Sequence, residues 1–87
     1  MERPSSPATG RRREKAFGRV LQEIRREHGL SQEQLGFESG YHRTYISFLE
    51  RGKKSPSLST ILDLAETLRV PASEMLRRVE TTLKLKF

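Results

Sequence analysis

The residues with chemical reach crowd into one stretch, from His42 to Lys54. Arg43 carries a planar fork of donors that matches a guanine edge. Thr44 and Ser47 offer hydroxyls, and Phe48 offers an apolar face of the kind that meets a thymine methyl. Arg51, Lys53 and Lys54 follow with no acid beside them after Glu50, and cations so closely spaced suit a phosphate backbone. His42 could donate to a nucleic acid or serve only in a turn, and Phe48 is open between base contact and packing. Catalysis is poorly served. Ser47, His42 and Asp63 can be written down as a triad, but no nucleophile elbow or other strained turn surrounds them. The two histidines, His28 and His42, come with no cysteine and do not make a metal-ligand set. There is no phosphate-cradling glycine loop and no dinucleotide fingerprint. These residues point to a binding protein, not an enzyme, with no metal, cofactor or small-molecule ligand expected.

Helices must hold that stretch in place. Phe17, Val20, Leu21, Ile24 and His28 recur at helical spacing, and Gly29 stops the first helix, which starts near Lys15. Ser31 followed by Gln34 is a capping-box pattern that opens a second helix over about Gln32 to Ser39, with Leu35 inward. Gly40 then turns the chain into a third helix, about His42 to Arg51, that buries Ile46 and Leu49 and ends at Gly52. Two helices joined by so short a glycine-containing turn describe a helix-turn-helix. Gly36 has no side chain to hold the pair apart. With Ile46 inward, Arg43, Thr44, Ser47 and Phe48 are left on the outer face, and an α-helix fits the major groove of DNA. Ser57 caps a fourth helix with Leu58, Ile61, Leu62, Ala65 and Leu68 inward, and Pro71 opens a fifth that carries Met75, Leu76 and Val79. The fold class is all-α, five short helices.

The segment from Gly29 to Leu76, GLSQEQLGFESGYHRTYISFLERGKKSPSLSTILDLAETLRVPASEML, resembles the DNA-binding domain of the lambda-repressor and Cro family. With the first helix the likeness covers Phe17 to Val79. HRTYIS followed by ERG is also similar to the small controller proteins of restriction–modification systems. The resemblance implies a five-helix lambda-repressor-like bundle that binds double-stranded operator DNA as a homodimer. It implies a phosphate contact for Gln32, base-facing positions for His42, Arg43, Thr44, Ser47 and Phe48, and backbone contacts for Arg51, Lys53 and Lys54. It also implies a salt bridge between Arg25 and Glu50 that ties the first helix to the third. This chain departs from the family pattern at Gly36, where alanine is usual, at Tyr41, where a smaller aliphatic is usual, and at Arg69, where glycine is common. Phe37 and Phe48 stand at positions that are usually polar, Phe37 as a residue that packs locally against Tyr41.

Length and charge bound the partners. The 87 residues carry 17 Lys and Arg against 11 Asp and Glu, a net +6. So small a chain buries only about 60% of its unfolded surface, which favours an oligomer or a partner. No apolar run is long enough for a membrane span and Met1 to Lys15 lacks a signal peptide's apolar core, so a cytoplasmic protein is expected. Residues 1–14, rich in Pro, Ser and Arg, read as a disordered basic arm; 15–80 form the domain; 81–87 form a tail. In that tail Leu83, Leu85 and Phe87 alternate with Lys84 and Lys86, the period of a strand. An unpaired strand would pair with its copy in a second subunit, placing a dimer interface at Met75, Leu76, Val79, Leu83, Leu85 and Phe87. A longer fifth helix or a frayed tail are the other two readings. The expected function is a sequence-specific transcriptional regulator, repressor or controller, on a palindromic operator. An antitoxin-like protein that also holds a toxin, and a basic interaction module without DNA binding, are the competing classes.

Overall fold

The computed structural model describes residues 11–86. Helix α1 spans Arg12–Glu27, α2 Gln32–Ser39, α3 Arg43–Glu50, α4 Leu58–Thr67 and α5 Ala72–Lys86. No strand occurs among the described residues. The all-α class and the order of elements agree with the expectation.

Helix α1 is the spine of the molecule. Its residues Ala16, Phe17, Val20, Leu21 and Ile24 are all buried, a single helical stripe that packs between α3 and α5. Leu35, Ile46, Leu49, Leu64, Leu68 and Met75 join them in the core at zero exposure, with Ala65 and Val79 also buried. Gly18 lies where α1 crosses the end of α3. A Cβ there would run into the carbonyl oxygens of Leu49 and Glu50, so only a bare backbone allows this approach. Its role is not evident in the sequence, where it is one glycine inside an amphipathic helix.

Three expectations are corrected. First, α1 begins at Arg12, not near Lys15: Lys15 N–H already donates to the Arg11 carbonyl at 2.9 Å, and Glu14 in the first turn favours the positive end of the helix. Arg12, Arg13 and Glu14 therefore belong to the helix and not to an arm; the remainder of that arm, residues 1–10, lies outside the described residues. Second, α4 carries apolar residues on more than one stripe, and the core takes Thr60, Leu64, Ala65 and Leu68, leaving Leu58 at 70% and Leu62 at 50% exposure. Third, the tail is not a strand. Helix α5 runs unbroken to Lys86, because Met75, Val79 and Leu83 form one row of i, i+4 neighbours whose members pack on the core. The helix satisfies its own backbone, whereas a lone strand would not. The Leu85 side chain and Phe87 lie outside the described residues.

The end of α4 shows how a departure from pattern is absorbed. Val70 N–H bonds the Ala65 carbonyl at 3.0 Å and Arg69 N–H bonds that of Glu66 at 3.1 Å. This is the left-handed helix stop usually built on glycine, yet the residue with positive φ, 56°, is Arg69.

Candidate nucleic-acid interface

The α2–turn–α3 unit is assembled from local rules. The Ser31 hydroxyl accepts the Gln34 N–H at 3.0 Å and the Gln34 carboxamide oxygen accepts the Ser31 N–H at 2.8 Å, a complete capping box. Gly40, at φ 85°, ends α2 in the left-handed region that glycine enters at no steric cost. The N–H groups of Gly40 and Tyr41 both reach the Gly36 carbonyl, at 2.9 and 2.8 Å. The turn folds so tightly over Gly36 that a Cβ there would stand 2.5 Å from the Tyr41 carbonyl oxygen.

Burial of Ile46 and Leu49 sets the rotation of α3. His42, Arg43 and Thr44 are exposed on its outer face, and Ser47 and Phe48 are half-buried beside them. His42 is the N-cap: its Nδ1 accepts the Thr44 N–H at 3.0 Å. The neutral imidazole then carries its proton on Nε2, which leaves a donor for an outside acceptor. Arg43 lies 3.9 Å from Glu33, both side chains well exposed, a contact too loose to hold the guanidinium. The Asp63 carboxylate is engaged elsewhere, accepting the Tyr41 hydroxyl at 2.6 Å, so Ser47, His42 and Asp63 do not form a relay.

Arg25 fixes the angle of α3. Its Nε and Nη2 donate to the two Glu50 oxygens at 2.6 and 2.9 Å, and its Nη1 donates to the Leu30 carbonyl at 2.8 Å. The pair is almost sealed from solvent, with 9% of the Arg25 side chain exposed and 1% of the Glu50 side chain. The Glu50 hydrogen bond and charge raise the Arg25 pKa further above its usual range against the opposing effect of burial. Gln22 and Gln32 each donate an amide N–H to Glu50, at 3.3 and 3.0 Å. Gln32 therefore spends one amide N–H on the protein and has a second left to donate.

The end of α3 and the loop after it hold the cations. Gly52, at φ 71°, gives a glycine stop, with Gly52 N–H on the Leu49 carbonyl at 3.1 Å and Lys53 N–H on that of Phe48 at 2.8 Å. The Phe48 ring sits beneath the Arg51 guanidinium, 5.3 Å from its centroid, and the Lys54 ammonium, at 5.8 Å. Arg11 donates to the Gly52 and Lys53 carbonyls at 3.3 and 2.9 Å.

Arg11 at this loop is not foreshadowed in the sequence, since no local pattern links it to a loop so far along the chain. Nor is a hydroxyl cluster between the turn and α4. Tyr41 and Tyr45 lie with ring centroids 5.3 Å apart. Both phenols approach the Thr60 hydroxyl, at 3.3 and 3.4 Å, and Ser57, the cap of α4, sits 3.0 Å from it. The Asp63 hydrogen bond raises the Tyr41 pKa, with Thr60 acting in the opposite sense. Phe37 does not pack on Tyr41: it is 87% exposed.

The expected dimer residues divide. Met75 and Val79 are turned into the core and Leu83 packs against it, whereas Leu76 is 40% exposed. Leu76, Leu83 and Ile61 line a shallow groove with Phe17, Val79 and Pro56, and the exposed Leu58 and Leu62 lie on α4.

A capped helix, a glycine turn and a second helix whose outer face is polar and exposed define a helix-turn-helix domain. The sequence profile of the helix-turn-helix family matches residues 21–75, and the chain belongs to that family of transcriptional regulators. Control protein C.BamHI of Bacillus amyloliquefaciens is 41% identical over 61 residues, 69% of this chain and 75% of its own. The restriction-modification controller protein C.AhdI from Aeromonas hydrophila superposes with a TM-score of 0.70 at 44% identity, over 71% of this chain and 94% of that one. C.Esp1396I, another such controller protein, was solved as a tetramer with its natural 35 base-pair operator; it superposes with a TM-score of 0.76 at 25% identity, over 83% and 95% of the two chains.

Proposed function

We propose that this protein regulates transcription by binding a palindromic operator as a homodimer, with α3 in the major groove. The observation that carries the reading is the presentation of α3: His42, Arg43 and Thr44 are exposed on a helix whose other side is locked to α1 by a sealed, doubly bonded Arg25–Glu50 pair. A reading helix must arrive at the groove at a fixed angle, and a buried bidentate pair supplies that geometry. The relatives support the same reading, since one was solved on its operator.

Roles follow from exposure and chemistry. Arg43 reads a guanine with its donor fork, Thr44 and Ser47 make hydroxyl contacts to base edges, and the His42 Nε2 donates. Gln32 with its second amide N–H, and Arg51, Lys53 and Lys54 with their charge, hold phosphates. The dimer forms through the α4–α5 face, where Leu58, Leu62 and Leu76 leave apolar surface exposed next to Ile61 and Leu83. Helix-turn-helix dimers read half-sites about 34–36 Å apart, and that is the spacing expected for the two copies of α3.

The test separates reading from holding. Arg43→Ala should cost about 1–3 kcal/mol on the operator and little on unrelated duplex. Lys53→Ala should weaken both equally and reduce the slope of log affinity against log salt by about 0.9. Fluorescence anisotropy over a salt series measures both quantities. Equal behaviour of the two variants on both duplexes would overturn the assignment of roles.

A further inference from the structure

We propose that Phe48 is a platform, not a base reader: its ring gathers Arg51 and Lys54 into a site for one backbone phosphate at the end of α3. The proposal rests on the DNA-binding reading above and assigns Phe48 a different task within it.

Three observations converge. The guanidinium of Arg51 and the ammonium of Lys54 both stand over the same ring, 5.3 and 5.8 Å from its centroid. The electron-rich face of an aromatic ring attracts each cation, and two positive charges drawn to one side chain make a locally positive patch that suits an anion. The loop geometry makes the meeting specific. Lys53 N–H closes on the Phe48 carbonyl, so the chain folds back and delivers the next residue, Lys54, over the side chain of the residue it has just bonded.

The third observation concerns the local field. The C-terminus of a helix is its negative end, which repels phosphate. Here the Gly52 and Lys53 carbonyls are covered by the Arg11 guanidinium, at 3.3 and 2.9 Å, which puts a further positive charge where the dipole is least favourable. Arg11 is thereby a positioning residue for the loop, while Arg51 and Lys54 keep their charged heads for an outside anion. Phe48 is half-buried beneath them, its ring turned to its own cations and not standing free on the outer face as Arg43 and Thr44 do.

Holding two long side chains in place before DNA arrives removes part of the ordering cost of binding. Phe48→Leu keeps the apolar bulk and deletes the ring face. It should lower affinity about three- to tenfold on the operator and on a random-sequence duplex alike, with the salt slope retained because both cations remain. Phe48→Tyr should restore binding. In a Lys54→Ala, Arg51→Ala background the Phe48→Leu loss should shrink toward nothing, a coupling that a purely structural role would not produce.

Base reading predicts the opposite pattern. The loss would fall on the operator alone, and replacing operator thymines by uracil would weaken the parent protein but not Phe48→Leu. The experiment is fluorescence anisotropy of the parent and these variants on three probes: the selected operator, its all-uracil version and the random-sequence duplex. An equal loss on operator and random duplex, with coupling to Arg51 and Lys54, supports the platform. A loss confined to the operator, a uracil effect removed by Phe48→Leu, or an unreduced loss in the double-alanine background overturns it while leaving DNA binding intact. Failure of the parent protein to bind any of the three duplexes at low salt would overturn the DNA-binding reading and this inference with it.

Discussion

Replacing Glu50 with methionine strands the Arg25 guanidinium in a place where only 9% of its side chain meets water. Nη1 still has the Leu30 carbonyl, at 2.8 Å, but Nε and Nη2 lose both oxygens of the carboxylate. Arg25→Met does the reverse and strands a carboxylate that is 1% exposed, with only the Gln22 and Gln32 amides to face it. Breaking one side of a buried pair typically costs about 3–5 kcal/mol. A domain of this size has a total stability on the order of 5–10 kcal/mol, so each single variant should be visibly marginal. The double variant buries no charge. It gives up the bond to Leu30 and leaves the half-buried Gln22 and Gln32 to water, for a cost of about 1–2 kcal/mol. Urea unfolding followed by circular dichroism on all four proteins gives the coupling, which should be several kcal/mol in favour of the double. Because the pair is sealed, added salt should change the coupling little. Additive single effects, or a coupling that vanishes in salt, would show that the pair does not hold α3 as described.

Gly18→Ala should destabilise the fold by about 1–2 kcal/mol in the same assay, because the methyl meets the Leu49 and Glu50 carbonyls, and overpacking of about 1–3 kcal/mol outweighs the gain in helix propensity; a stabilised variant would contradict the close approach. Arg69→Gly should raise the thermal midpoint, with a gain of about 1 kcal/mol, by relieving the left-handed backbone at φ 56°; a lower midpoint would refute that source of strain. Leu62→Lys should leave the monomer folded and weaken the dimer in sedimentation, with operator affinity falling in step, since Leu62 is 50% exposed on the proposed interface; an unchanged dimer constant would move the interface elsewhere.

What could be read directly from the residues was local. Ser31 with Gln34, the glycines at positions 40 and 52, and the inward triplet Leu35, Ile46 and Leu49 each obey short-range rules, and the structure places them as those rules require. The face of α3 followed from burial of Ile46 alone. The misses arose where a sequence permits two answers or where contact is distant. Helix α4 has two apolar stripes, and only packing against α2 and α5 selects Leu64 over Leu62. In the tail, Leu83 fits both the strand alternation with Leu85 and the helical row with Met75 and Val79, and the core contact decides for the helix. Arg11 on the loop at Gly52 and Tyr41 on Asp63 join residues far apart in the chain, where spacing carries no signal.

Every role proposed above requires that this chain read DNA sequence as a two-fold dimer through α3. Selection of bound molecules from a random DNA pool, with the parent protein and Arg43→Ala run side by side, tests it most directly. The parent should return an inverted repeat, with half-sites about one helical turn apart. Arg43→Ala should relax one symmetry-related position in each half-site and preserve the spacing. A pool that returns no enriched repeat, or an identical motif from both proteins, would contradict it.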